Sequence, residues 1–79
     1  MNIFEIIIAR LNEPIYYNDW MSIRQLKNGS LFIERSGNVS DAYIEYVIRE
    51  YFKQMNITPN YLTERETSNI WIVKRLYWN

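Results

Sequence analysis

The apolar positions between Ser40 and Met55 recur with the period of a helix. Tyr43, Ile44, Val47, Ile48, Tyr51, Phe52 and Met55 follow the spacing i, i+1, i+4, i+5, i+8. At about 100° per residue this set forms one wide stripe. Glu45, Arg49, Glu50 and Lys53 fall on the other side, with Glu45–Arg49 an i,i+4 pair in the favourable order. Ser40 or Asp41 can accept a hydrogen bond from a free first-turn N–H. Asn56 can end the helix and Pro59 cannot continue it. A helix over about Ser40–Met55 is predicted.

The opening segment has two readings. Asn2 and Glu5 have capping-box spacing, and Phe4, Ile7, Ile8 and Leu11 share one helical face. The β-branched run Ile6-Ile7-Ile8 would also suit a buried strand. Asn12-Glu13-Pro14 closes the segment as a helix end, which favours the helix. The strand is the runner-up.

Two hairpins are expected. Trp20–Leu26 and Ser30–Ser36 flank Asn28-Gly29, whose residues tolerate the positive φ of a type I′ turn. A rival makes Asp19–Lys27 a short helix, with Trp20, Ile23 and Leu26 on one side. After the long helix, Tyr61–Arg65 and Ile70–Trp78 flank a four-residue loop, Glu66-Thr67-Ser68-Asn69. Ile70-Trp71-Ile72-Val73 is apolar on both faces, so this strand is expected to be central or covered on both sides.

The elements predict an α+β fold in the order α-β-β-α-β-β, with a four-stranded antiparallel sheet and two helices on one face. Residues 1–79 are read as one domain. The halves echo each other faintly, which raises a weak αββ duplication against the plain alternative that amphipathic hairpins look alike.

Composition narrows the chemistry. The chain has 9 basic and 9 acidic residues, no histidine and no cysteine. Disulfides, thiolate or imidazole metal sites, and Ser-His or Cys-His nucleophiles are therefore excluded. A zero formal charge argues against a protein that mainly wraps nucleic acid or lies on an anionic membrane. No basic, apolar leader and no membrane-length apolar run occurs, so a cytoplasmic protein is expected.

Catalysis would have to rest on carboxylates, Tyr, Lys, Ser or Thr. The closest acidic pair is Glu64 and Glu66, which would share a strand face about 7 Å apart. With Arg65 between them and a turn beside them, a solvated edge is the better reading. Gly29 and Gly37 read as turn residues, not as a phosphate loop. No catalytic residue, metal or cofactor is expected, and the chain is read as a non-enzyme.

Thirteen aromatic residues (3 Trp, 7 Tyr, 3 Phe) exceed what a domain this small can hide. The surplus points to a partner surface, because exposed Trp and Tyr are favoured anchors. The candidate anchors are Trp20, Tyr16, Tyr17, Trp71, Tyr77 and Trp78, rimmed by Arg24, Arg75, Glu64 and Glu66. The expected function is a protein-binding inhibitor or adaptor that covers a surface of a larger host complex. Isoleucine- and asparagine-rich, alanine-poor composition suggests AT-rich coding, common in phages and other mobile elements. By class, this raises an anti-defence role such as an anti-CRISPR. One alternative is nucleic-acid binding through Lys74-Arg75-Leu76-Tyr77-Trp78 on an open sheet platform. Another is a regulatory homodimer.

Overall fold

A computed structural model describes residues 1–55 and 61–75. Asn56, Pro59, Tyr77 and Trp78 lie outside the described residues, as does the side chain of Arg75.

The first segment is a helix, α1, over Ile3–Arg10. Its capping box is complete. Asn2 Oδ1 accepts from the Glu5 N–H at 2.9 Å, and the Asn2 N–H reaches Glu5 Oε1 at 3.5 Å. Such a cap is worth about 1 kcal/mol, and it favours the helix over the strand that the isoleucine run alone would allow. The long helix, α2, covers Asp41–Gln54. Ser40 is its cap, since Ser40 Oγ accepts from the Tyr43 N–H at 3.2 Å. Asp41 is therefore the first helical residue, and Met55 closes the far end.

Among the described residues five strands, not four, form the sheet. They are β1 (Tyr16–Tyr17), β2 (Met21–Gln25), β3 (Leu31–Arg35), β4 (Tyr61–Thr67) and β5 (Ile70–Arg75), in the spatial order β1-β2-β3-β5-β4. All neighbours are antiparallel. The expected element order therefore gains a strand before the first hairpin. β1 has only two residues, too short to register as a pattern. The rival helix over Asp19–Lys27 is replaced by β2.

The two helices lie on opposite faces of the sheet, which corrects the expectation that they share one. Ile33 pairs with Trp71 and Leu31 with Val73, and these four join Met21 and Ile23 against Ile44, Ile48 and Phe52 of α2. The alternate residues Phe32, Ile70 and Ile72 point the other way and meet Ile6 and Ala9 of α1. The cause is local. Leu31-Phe32-Ile33 on β3 and Ile70-Trp71-Ile72-Val73 on β5 are apolar at every position, and both strands are internal. A strand of that composition needs cover on both faces. Arg10 fixes the rotation of α1 by gripping Glu34 of β3, with Nη2–Oε2 at 2.5 Å and Nε–Oε2 at 3.0 Å.

Both hairpins differ in detail from expectation. In the first, the Gly29 N–H donates to Leu26 O at 3.0 Å and the Leu26 N–H to Ser30 O at 2.8 Å. This is a three-residue connection, Lys27-Asn28-Gly29, with Gly29 alone among the glycines at positive φ (87°). That pattern fits a type I turn with a glycine bulge, not a two-residue type I′ turn. In the second, β4 runs on to Thr67 and only Ser68-Asn69 turn. A bulge between Arg65 and Thr67 absorbs the extra residue, Glu66.

The strand order β2-β3-β5-β4 is symmetric about its centre, as a duplication would give. The helices break that symmetry. No single rotation that exchanges β3 and antiparallel β5 also carries a helix from one face to the other.

Candidate functional site

Trp71 is a core residue and not a surface anchor. It is 1% exposed on the α2 side of the sheet. Two guanidinium groups lie over its ring, Arg65 at 4.5 Å and Arg35 at 5.2 Å from the centroid. Asp41 joins the pair, with Arg35 Nη1 2.6 Å from Oδ1 and Arg65 Nη1 2.8 Å from Oδ2. The Arg65 hydrogen bond, then that of Arg35, holds the Asp41 carboxyl below the usual carboxylate range. Both arginines also donate to Ser68 O, at 2.8 Å and 2.5 Å. This network ties the start of α2 to the β4–β5 turn.

The remaining candidates do not form one patch. Tyr16, Tyr17 and Trp20 stand at the β1 edge, and Glu64 and Glu66 at the β4 edge, the far side of the sheet. Tyr16 pairs with Ile23 and so faces the α2 side, whereas Tyr17 pairs with Ser22 and faces the α1 side. Glu64 is paired with Lys74 at 3.2 Å, and Glu66 meets the Met1 amino group. The two carboxylates thus answer separate cations, and among the described residues no three acidic groups gather as a metal site. Arg24 is committed to Asn12 O at 2.9 Å and Ser22 Oγ at 2.7 Å. Lys74 is bound to Glu64, and the sheet face that a base-stacking platform would need is covered by α1. Tyr77, Trp78 and the Arg75 side chain fall outside the described residues.

Among the described residues, the most exposed run of apolar side chains lies on α1, apart from every expected anchor. Only Ile6 and Ala9 of α1 are buried. Phe4, Ile7, Ile8 and Leu11, the very face that the periodicity selects, point away from the sheet, Phe4 at 71% and Leu11 at 80% exposure. With Ile3 they leave on the order of 500 Å² of apolar surface open, the size of the largest patch on a typical soluble monomer, and such patches are often functional. The signal was present in the sequence: nine of the eleven positions Met1–Leu11 carry no charge, so α1 is apolar around most of its circumference.

A groove lies on the other face, between β1 and α2. It has a volume of about 310 Å³. Tyr16 lines it from β1, and Tyr43, Tyr46, Glu50 and Tyr51 line it from α2, with Val47 between them. On α2 these positions are three or four residues apart and so form one ridge. Asn18 braces the mouth. Its Nδ2 donates to Tyr43 Oη at 3.1 Å and, at 3.4 Å, to Tyr16 Oη, while its Oδ1 accepts from the Trp20 and Met21 N–H groups at 2.8 and 3.0 Å. Trp20 packs edge-on to Tyr43, centroids 5.9 Å apart. Burial pushes the Tyr51 hydroxyl pKa up, so it stays a neutral donor. The helical period puts Tyr43 and Tyr51 on the apolar stripe of α2, and two-residue β1, too short to show as a pattern, makes them one wall of a groove.

No helix among the described residues is long and apolar enough to cross a membrane. No protein-family model, curated protein or solved structure matches the chain.

Proposed function

We propose that this protein is a non-enzymatic binding module, an inhibitor or adaptor that docks the outward face of α1 into an apolar groove of a larger protein. The observation that carries this is the position of Phe4, Ile7, Ile8 and Leu11. They are spaced i, i+3, i+4, i+7, the anchor pattern of a helix laid in a groove, and all four are exposed. The helix is held on the sheet by Ile6, Ala9 and the Arg10–Glu34 pair, so its ordering cost is met before a partner arrives.

The magnitudes reach the lower bound for a protein partner. Burying about 500 Å² at about 25 cal/mol per Å² yields on the order of 12 kcal/mol gross, against roughly 4–15 kcal/mol for association. With an equal area from the partner, the interface reaches about 1,000 Å², the lower bound for a specific complex.

A photo-crosslinking side chain at Leu11, with Glu45 on α2 as the control position, tests this. The expected result is a crosslink from position 11 alone, mapping to apolar groove residues of one partner. Ile8→Lys should abolish it with the melting temperature unchanged. A crosslink only to a second copy of the chain would replace this reading with a homodimer, and equal crosslinking from both positions would overturn it.

A further inference from the structure

The tyrosine groove between β1 and α2 is independent of the α1 face and lies on the other side of the sheet. The geometry points to a second binding site there, one that takes a cationic side chain, arginine or lysine, from a polypeptide partner. Tyr16, Tyr43, Tyr46 and Tyr51 line it, and Glu50 is the charged residue of its lining.

Each part suits a cation. Tyrosine faces carry the negative end of the ring quadrupole and attract an ammonium or guanidinium within about 6 Å. Glu50 is half-buried on the lining, and none of the ion pairs among the described residues includes it. A carboxylate at the edge of an aromatic pocket supplies the counter-charge and accepts N–H donors, and a guanidinium can offer two of them in parallel. The volume of about 310 Å³ is the size of one long side chain and its flanking backbone, at the low end of small-ligand sites.

The groove is also built before the ligand arrives. The Asn18 amide places a donor on each of Tyr43 Oη and Tyr16 Oη, which sets the separation of the two walls. Its carbonyl oxygen is fully used by the Trp20 and Met21 amides, so the bridge cannot turn over without losing both. Trp20 also packs edge-on against the Tyr43 ring. A groove whose walls are already spaced loses little entropy on binding.

Two docking surfaces on opposite faces make the chain a bridge between two surfaces, which is the adaptor form of the proposed function. The groove does not depend on the α1 reading, because no residue of α1 lines it.

The test uses the whole chain and two small probes. N-acetyl-arginine amide is titrated against the protein, followed by the aromatic NMR signals of Tyr43, Tyr46 and Tyr51. N-acetyl-citrulline amide, of nearly the same shape but uncharged, is the control. Saturable millimolar shifts are expected with arginine, and roughly tenfold weaker ones with citrulline. Glu50→Gln should bring arginine down to the citrulline level, and Tyr46→Ala, at an exposed position, should weaken arginine with the fold intact by backbone NMR. Ile8→Lys should leave the titration unchanged, which separates this site from the α1 face. Equal affinity for the two probes, or no saturable shift in the groove, would overturn the assignment.

Discussion

Ala9 and Ile8 are neighbours on one helix and meet opposite environments: Ala9 is 2% exposed against the sheet and Ile8 is 61% exposed on the outer face. Ala9 is buried in one cluster with Phe32, Ile70 and Ile72, and a close-packed interior leaves little room for added methylenes. Ala9→Leu should therefore destabilise by about 1–3 kcal/mol through overpacking. Ile8→Gln should stay within about 0.5 kcal/mol of the parent, as surface changes do. Chemical denaturation of both variants checks this, and a larger loss at Ile8 than at Ala9 would show that α1 is docked the other way round.

Trp71 gives a second prediction. Its ring fills the α2 side of the core and carries two guanidinium groups. Trp71→Ala should cost about 3–5 kcal/mol, enough to threaten folding in a domain of this size. Trp71→Phe keeps a ring for Arg35 and Arg65 and should be tolerated much better. Equal losses from the two substitutions, measured by urea unfolding, would show that the ring's stacking contributes nothing beyond the indole volume.

Acid should weaken the protein through Asp41. Its folded carboxyl titrates below the ordinary range because Arg65 and, next, Arg35 donate to it. A depressed folded pKa stabilises above the unfolded value, near about 4, and the contribution is lost as pH falls through the folded value. Asp41→Asn removes that titration. The gap in melting temperature between parent and Asn variant should be constant above about pH 5 and shrink from about pH 4 downward. A gap that does not change with pH would mean that the carboxylate and both arginines are energetically uncoupled.

Gly37 lies against Trp20, whose ring packs on Tyr43 of the groove. A Cβ built there would lie 2.8 Å from Trp20 Cδ1 and 3.0 Å from the Asp19 carbonyl oxygen. Gly37→Ala should displace Trp20 from the edge of Tyr43 and cost about 1–3 kcal/mol. Tryptophan fluorescence and the Tyr43 ring signals report the shift. An unmoved Tyr43 signal would show that Asn18 alone positions that ring.

The sequence by itself determined the elements whose determinants lie within a few residues. The Asn2–Glu5 cap, the Ser40 cap, the α2 stripe and the Gly29 turn each depend on bonds or spacings closed inside one turn of chain. It also showed that Ile70–Val73 needs cover on both faces. Which helix covers which face was decided by the tertiary structure. Periodicity identifies an apolar stripe on α1 but cannot tell a stripe turned to a sheet from one turned to solvent, since both repeat alike. The choice came from long-range contacts: Arg10 reaching Glu34 across 24 positions, and a small Ala9 allowing α1 to settle on Phe32. The groove followed the same rule. Tyr16 and Tyr43 belong to separate elements, and only the pairing of two-residue β1 with β2 brings them to one Asn18 amide.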